Sequence, residues 1–255
     1  MCELLGMSAN VPTDICFSFT GLMQRGGRTG YHRDGWGISF YEGEGCRTFH
    51  DTNPSAVSEV AQLIRRYSIK SYIVVSHIRK ANRGRVCLAN THPFVRELWG
   101  RYWTFAHNGQ LKSIKKRPLE FYKPVGTTDS EHAFCWLLDQ IRKAFPKSPR
   151  NSNRLWQLIQ AICEDLNGLG VFNMLLSDSR HLYAFRSTHL CWKTRQSPFG
   201  PARLADIDFT VDFSAETTPD DIVTVLATHP LTDNERWGYC PLNQLQIFHQ
   251  GLCIN

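Results

Sequence analysis

Two apolar runs constrain the fold more than any other feature of this sequence. Residues 72–78 and 102–107 are almost continuously apolar, which predicts strands that are buried on both faces. Shorter strands are predicted before and after these runs. Two amphipathic helices, at 130–145 and 154–167, separate the second run from the later strands. A doubly buried strand needs a layer packed against each face. We therefore predict a single α+β domain over 1–255, with two antiparallel sheets face to face and helices outside.

The composition is that of a globular protein. Hydrophobic residues make up 42% of the 255 residues and charged residues 20%, and the net charge is +6. A tight basic cluster occurs at Lys112, Lys115, Lys116 and Arg117. No aromatic platform or recognition helix accompanies it, so we interpret it as a solvated loop and expect no nucleic-acid partner.

The cysteines indicate a reducing compartment. Nine are present, widely spaced, with no CxxC pair. The sequence shows no signal peptide and no apolar run long enough to cross a membrane. We therefore expect reduced thiols, a cytoplasmic location and no membrane association. Most of the thiols are expected to be small buried groups, and Cys2 is singled out by its position.

Cys2 directly follows the initiator Met1. Its small side chain permits removal of Met1, giving a mature chain of 2–255 that begins with a thiol and a free α-amine on one Cα. The amine, with a pKa near ~8, is a suitable base for a thiol with a pKa near ~8.5. Nucleophile and base then belong to one residue. The alternative is that Cys2 is an incidental second residue.

Arg79 and Asp129 form a second candidate pair. Arg79 follows the strand at 72–78, where a cation needs a counter-ion or an anionic ligand. It is either a structural salt-bridge partner or a guanidinium that binds a substrate carboxylate. Asp129 opens the helix at 130–145 and is either part of the N-terminal cap or a carboxylate facing a substrate ammonium. Together the two charges would recognise an α-amino acid.

Asn108 and Gly109 follow the second buried run. The side-chain amide of Asn108 and the unobstructed backbone N–H of Gly109 suit an oxyanion hole. An ordinary Asn-Gly turn is the alternative.

Seven short motifs stand out along the chain: Met1-Cys2-Glu3-Leu4-Leu5-Gly6, Arg25-Gly26, Asp34-Gly35-Trp36-Gly37, His77-Ile78-Arg79, Asn90-Thr91-His92-Pro93-Phe94, Ala106-His107-Asn108-Gly109 and Thr128-Asp129-Ser130-Glu131. They occur in the order seen in class II glutamine amidotransferase domains, and the chain resembles the stand-alone members of the YafJ type. The resemblance covers nearly the whole length.

This resemblance implies a four-layer αββα sandwich of the N-terminal-nucleophile hydrolase type. It implies that Cys2 is the nucleophile and its α-amine the general base, with Asn108 and Gly109 as the oxyanion hole. Arg79 would hold the α-carboxylate of glutamine and Asp129 its α-ammonium. A glutamyl thioester would form on Cys2, release ammonia or an amine, and be hydrolysed to glutamate. The chemistry requires no cofactor, and the histidines lack metal-ligand spacing, so no metal is expected.

Two points depart from the family pattern. The segment Arg79-Lys80-Ala81-Asn82 has Asn where many members have Thr or Ser. No synthase domain that would accept ammonia is found in the sequence, so either a separate synthase accepts it or the enzyme hydrolyses glutamine or another γ-glutamyl compound. A non-catalytic amino-acid-binding module that acts with a synthase is a further alternative. The sequence leaves the homo-oligomeric state open.

Overall fold

The computed structural model of the chain describes residues 2–81, 84–214 and 217–255. The helices in these ranges are α1 (Cys16–Arg25), α2 (Glu59–Arg66), α3 (Asp129–Ala144) and α4 (Ser152–Asn167). The strands, in chain order, are β1 (Glu3–Thr13), β2 (Trp36–Glu42), β3 (Gly45–Asp51), β4 (Ser71–Ile78), β5 (Phe94–Leu98), β6 (Arg101–Leu111), β7 (Gly170–Ser177), β8 (Leu182–Phe185), β9 (Cys191–Gln196), β10 (Pro201–Arg203), β11 (Thr210–Asp212), β12 (Ile222–Ala227), β13 (Gly238–Tyr239), β14 (Leu245–His249) and β15 (Leu252–Cys253). Met1 and Asn82 lie outside the described residues.

Two antiparallel sheets dominate the described part of the chain. The first has seven strands in the order β13-β9-β12-β1-β4-β2-β3, and the second has six in the order β15-β14-β8-β7-β6-β5. The short strands β10 and β11 form a separate ribbon. The two doubly buried runs become β4, beside β1 in the first sheet, and β6, beside β7 in the second. The predicted pair of antiparallel sheets is confirmed.

Side-chain alternation along β1 shows how the first sheet is covered. Leu5 and Met7 pack into a core that also contains Phe19 of α1 and Ile64 of α2. Leu4, the residue before Leu5, instead packs with residues of the second sheet. Since successive side chains of a strand point to opposite faces, α1 and α2 cover one face of this sheet and the second sheet covers the other.

The second sheet repeats this arrangement on its own outer face. Phe105 of β6 stacks on Phe134 of α3 with ring centroids 5.1 Å apart, within a core that includes Ile159 of α4. The neighbouring Ala106 packs in the inter-sheet core with Leu4. In the described residues the layers therefore run helix, sheet, sheet, helix, which confirms the four-layer αββα sandwich.

Strand β6 is longer than predicted. The apolar run ends at His107, but the ladder with β7 continues through Asn108 and Gly109 to Leu111, which pairs with Gly170. The Asn-Gly turn considered above is wrong, because both residues are held in an extended strand by their partners on β7. Strand β5 was not predicted, since the charged Arg96 and Glu97 interrupt its pattern, as is usual in edge strands.

Candidate active site

Strand periodicity sends three of the predicted site residues into the space between the sheets. Leu4 and Ala106 face the inter-sheet core. Cys2 precedes Leu4 by two positions and Asn108 follows Ala106 by two, so both share that face. Arg79 follows Val75 of the same core by four. Antiparallel pairing of Glu3 with Ile78 brings the start of β1 beside the end of β4. The polar residues that follow the buried strands in the sequence thus lie together at one end of the sandwich.

A cavity of about 740 Å³ opens at this end. All five predicted site residues line it: Cys2, Arg79, Asn108, Gly109 and Asp129. They come from β1, the end of β4, β6 and the start of α3, so both sheets and one outer helix contribute. A cavity of this size with convergent polar groups has the usual form of a small-molecule site.

The side-chain amide of Asn108 binds both backbone groups of Cys2. The Cys2 nitrogen donates to Asn108 Oδ1 at 2.9 Å, and Asn108 Nδ2 donates to the Cys2 carbonyl oxygen at 2.6 Å. A backbone carbonyl only accepts, so this contact identifies Nδ2 and fixes the orientation of the amide. Cys2, which directly precedes β1 of the first sheet, is therefore attached at two points to β6 of the second sheet.

The Cys2 thiol faces the backbone of Lys80. The Lys80 N–H donates to Sγ at 3.3 Å, and Sγ lies 3.6 Å from the Lys80 carbonyl oxygen. Burial raises the pKa of the Cys2 thiol above its ordinary value, and the Lys80 N–H partly offsets this by favouring the thiolate. The thiol is therefore protonated at neutral pH and needs a base to act as a nucleophile.

Arg79 lies almost fully buried in the cavity wall, with 4% of its surface exposed. Its Nη1 donates to the Arg85 carbonyl oxygen at 3.0 Å, and its backbone N–H donates to Gly35 O at 2.8 Å. The Asp34 carboxylate accepts the Ala81 N–H at 2.7 Å and so holds the segment that follows. One contact thus binds the guanidinium to Arg85, and the other two hold the backbone at Arg79 and Ala81.

Asp129 is the first residue of α3, but the N-cap is Thr128, whose hydroxyl accepts the Glu131 N–H at 3.1 Å. The alternative that Asp129 caps the helix is thus wrong. Asp129 Oδ2 accepts the N–H of Leu111 at 2.8 Å and Oδ1 that of Ser130 at 3.0 Å. These contacts fix the carboxylate at the positive end of the helix, on the cavity wall.

No side chain fits at Gly109. A Cβ there would overlap the Val171 carbonyl oxygen on β7 and lie 2.6 Å from His107 Nε2. Both neighbours are held in place, Val171 by the ladder and His107 by its hydrogen bonds. Glycine is therefore required by the close approach of two strands.

His107 connects β6 to the start of α3. Burial lowers the pKa of its imidazole, although the nearby Asp129 acts in the opposite direction, so the ring is neutral. Its Nε2 lies 3.0 Å from the Val171 carbonyl oxygen, which only accepts, so Nε2 carries the proton. Nδ1 then accepts the Ser130 hydroxyl at 2.8 Å. The contact aligns the helix that carries Asp129 with the strand that carries Asn108.

His77 and His92 pack against each other with ring centroids 4.2 Å apart, and His92 also lines the cavity. Burial lowers the pKa of His77 to about 3 and that of His92 well below its ordinary value. Both rings are therefore neutral at physiological pH. Their motifs were recognised in the sequence without a role, and the structure shows both side chains as buried groups, with the His92 ring also packed on that of Phe94.

Sequence reasoning missed a buried ion-pair group beside Cys2. Arg25 Nη1 lies 3.0 Å from Glu3 Oε2, and Arg25 Nε lies 2.9 Å from Asp206 Oδ2. The same guanidinium donates to the carbonyl oxygens of His229 and Pro230. The only available signal was the Arg25-Gly26 motif, since Asp206 is far away in the chain. This group fixes the residue next to Cys2.

Among residues 2–81, 84–214 and 217–255, no three His, Cys, Asp or Glu side chains are grouped so that they could hold a metal ion. No helix in the same ranges has the length and apolarity needed to span a membrane.

Comparison with known proteins gives a consistent family assignment. The family described as class-II glutamine amidotransferases matches residues 1–255. The chain is 61% identical over 251 residues to a protein of Escherichia coli named as the glutamine amidotransferase YafJ, covering 98% of each chain. It is 45% identical over 251 residues to a Haemophilus influenzae protein also named as a glutamine amidotransferase, covering 98% of this chain and 85% of that one.

Solved structures agree with this assignment. A predicted glutamine amidotransferase from Pseudomonas aeruginosa superimposes with a TM-score of 0.80 at 55% identity and covers all of both chains. Glutamine phosphoribosylpyrophosphate amidotransferase from Bacillus subtilis gives a TM-score of 0.63 at 14% identity, over 99% of this chain and 48% of that one. This second likeness shows the fold alone. On the sequence matches, the chain belongs to the class II glutamine amidotransferases.

Proposed function

We propose that this protein is a glutamine amidotransferase or γ-glutamyl amidohydrolase in which Cys2, exposed by removal of Met1, is the nucleophile. One observation carries the proposal: a single cavity collects Cys2, Asn108, Gly109, Arg79 and Asp129. Thiol, amide donor, cation and carboxylate are the groups that acyl transfer from an α-amino acid side chain requires. The Cys thiols are unpaired, which supports a cytoplasmic location.

The first half-reaction forms a thioester. The α-amine of Cys2 takes the thiol proton, and the thiolate attacks the γ-carbonyl carbon of the substrate. This base is needed because burial keeps the thiol protonated. The tetrahedral intermediate collapses as the C–N bond breaks, and the ammonium of Cys2 returns the proton to the leaving ammonia or amine. The Lys80 N–H stabilises the sulfur while it carries charge.

The oxyanion is assigned to Asn108 and Gly109. Asn108 Nδ2 carries two hydrogens, of which one is donated to the Cys2 carbonyl oxygen. We assign the other hydrogen, together with the backbone N–H of Gly109, to the oxyanion. Loss of one such donor typically costs about 10²- to 10³-fold in kcat.

The second half-reaction releases glutamate. Water gives a proton to the Cys2 amine and attacks the thioester carbon, the C–S bond breaks, and the thiolate recovers its proton. During both steps Arg79 binds the α-carboxylate and Asp129 the α-ammonium. The fixed positions of these two charges on the cavity wall support recognition of the amino-acid end. Ammonia passes either to water or to a separate synthase.

The second candidate is an amino-acid-binding module that acts with a separate synthase and has no turnover of its own. The raised pKa of the Cys2 thiol favours it, since a thiol without a free α-amine stays protonated and unreactive. In this case the cavity would bind glutamine without cleaving it.

The deciding experiment combines intact mass with glutamate release. We expect the wild-type chain to lack Met1 and to release glutamate from glutamine or from a γ-glutamyl amide. Cys2→Ala should abolish release while the circular dichroism spectrum stays native. Cys253→Ala is the matched control, because that thiol is exposed at the opposite end of the sequence. Retention of Met1 without release from any of these substrates, together with glutamine binding by calorimetry, would favour the binding module.

A further inference from the structure

The cavity is larger than glutamine needs. Glutamine has about ten non-hydrogen atoms and fills no more than roughly 300 Å³, even at a full water's share of about 30 Å³ per atom. The cavity volume is about 740 Å³. More than half of it therefore remains when glutamine occupies the positions assigned above, and this inference rests on that proposed function.

The cavity wall is strongly cationic. Its cationic side chains are Arg79, Lys80, Lys112 and Lys115, and its one carboxylate among the described residues is Asp129. The zwitterionic end of glutamine uses Arg79 and Asp129, so the three lysines are left over. Within the described ranges none of their ammonium groups has a carboxylate oxygen within 4.0 Å. Such a wall attracts an anionic group on the substrate.

Lys80 is the lysine closest to the chemistry. Its backbone N–H contacts Cys2 Sγ, the atom that attacks the γ-carbonyl carbon. Its ammonium lies 4.1 Å from the ring centroid of Tyr31, whose side chain is 69% exposed. A cation on an exposed aromatic face is stabilised without being neutralised. Lys115, by contrast, donates to the Thr127 carbonyl oxygen near Asp129, at the amino-acid end.

We propose that the substrate is a γ-glutamyl amide whose leaving amine carries an anionic group, and that Lys80 recognises this group. The leaving amine departs from the carbon that Sγ attacks, and so lies next to Lys80. A carboxylate on that amine makes the substrate a γ-glutamyl amino acid, and a phosphate makes it a γ-glutamyl aminoalkyl phosphate. The reaction is the one written above, with this amine in place of ammonia.

The test compares substrates that differ in one charge. We would measure kcat/KM for γ-glutamylglycine, its neutral amide γ-glutamylglycinamide, γ-glutamyl-2-aminoethyl phosphate and glutamine. The wild-type enzyme should prefer an anionic substrate to the neutral amide, and this preference should fall as ionic strength rises. The better of the two anionic substrates identifies a carboxylate or a phosphate as the natural group.

Lys80→Met tests the assignment, because it removes the charge and keeps the backbone N–H that contacts Sγ. We expect the ratio of kcat/KM for the better anionic substrate over the neutral amide to fall by about twofold to fivefold, the range for a partly exposed charge pair. Lys80→Arg should retain the ratio. Lys147→Met is the matched control, since this exposed lysine follows the end of α3, a helix of 16 residues that starts at the cavity.

Each outcome has one meaning. Equal kcat/KM for charged and neutral amides, with glutamate released from both, overturns this inference and leaves the proposed function intact. A loss of the ratio in Lys112→Met but not in Lys80→Met overturns the assignment of this recognition to Lys80. Release of glutamate from none of the substrates refutes the proposed function and the inference with it.

Discussion

Replacement of Arg25 by methionine should destabilise the fold far more than replacement of an exposed arginine. The guanidinium is 90% shielded, with 10% of its side-chain surface exposed, and it contacts Glu3, Asp206 and two backbone carbonyl oxygens. The carboxylates are shielded to a similar degree, with 7% and 13% exposed. Arg25→Met therefore leaves two buried negative charges without a cation.

The magnitude follows from the unpaired charges. Breaking a buried ion pair by removing one partner costs about 3–5 kcal/mol, because the remaining charge stays desolvated. The exposed pair of Arg203 and Asp233, whose side chains are 54% and 42% exposed, is a suitable reference. Arg203→Met should cost no more than about 1 kcal/mol. We therefore expect a difference of at least about 2 kcal/mol between the two variants.

Urea unfolding, followed by tryptophan fluorescence, gives both free energies. The double variant Arg25→Met with Glu3→Gln adds a test of cause, since it removes one stranded carboxylate. Residues in contact usually show coupling of about 0.5–3 kcal/mol, so the double variant should be more stable than the sum of the single changes predicts. Equal costs for Arg25→Met and Arg203→Met, or strictly additive costs in the double variant, would refute the electrostatic reasoning.

Two other predictions concern the site. Gly109→Ala should destabilise the fold by about 1–3 kcal/mol and abolish glutamate release, because its Cβ would overlap the carbonyl oxygen of Val171. Gly200→Ala, which meets no atom within 4 Å, is the control, and equal melting temperatures would contradict the prediction. His77 has its pKa lowered to about 3, so the unfolded chain binds its proton first and stability is lost as pH falls from about 6.5 towards 3. His77→Gln should reduce the slope of unfolding free energy between pH 4 and 6 by up to about 1.4 kcal/mol per pH unit, and an unchanged slope in urea titrations would contradict this.

Much of the fold could be predicted because the apolar patterns are long and local. The runs that became β4 and β6 contain few polar residues, so their burial on both faces follows from the residues themselves. The convergence of Cys2, Arg79 and Asn108 was predicted from the places where these strands end and from a family resemblance. The structure shows these residues in one cavity, while their chemical roles remain proposals.

The parts that could not be predicted depend on distant partners. The extension of β6 through Asn108 and Gly109 is set by pairing with β7, which overrides the turn preference of Asn-Gly. The pairing of Arg25 with Asp206 joins residues 181 positions apart. The basic cluster was interpreted as a solvated loop, and Lys112 and Lys115 are indeed exposed, but they also line the cavity. Nothing in the local sequence distinguishes these two outcomes.

The two-point attachment of Cys2 to Asn108 has a consequence for how the chain can change in length. Cys2 precedes a strand of one sheet and Asn108 lies in a strand of the other. Each side chain faces the space between the sheets because successive side chains of a strand alternate between its two faces. A single-residue insertion between Leu4 and Ser8 of β1 would turn Cys2 away from the space between the sheets. An insertion between Trp103 and Ala106 of β6 would do the same to Asn108. Insertions in the 146–150 connection between α3 and α4 shift no strand. Engineering that lengthens this protein should therefore use the 146–150 connection, because the number of residues along β1 and β6 determines whether Cys2 and Asn108 face each other.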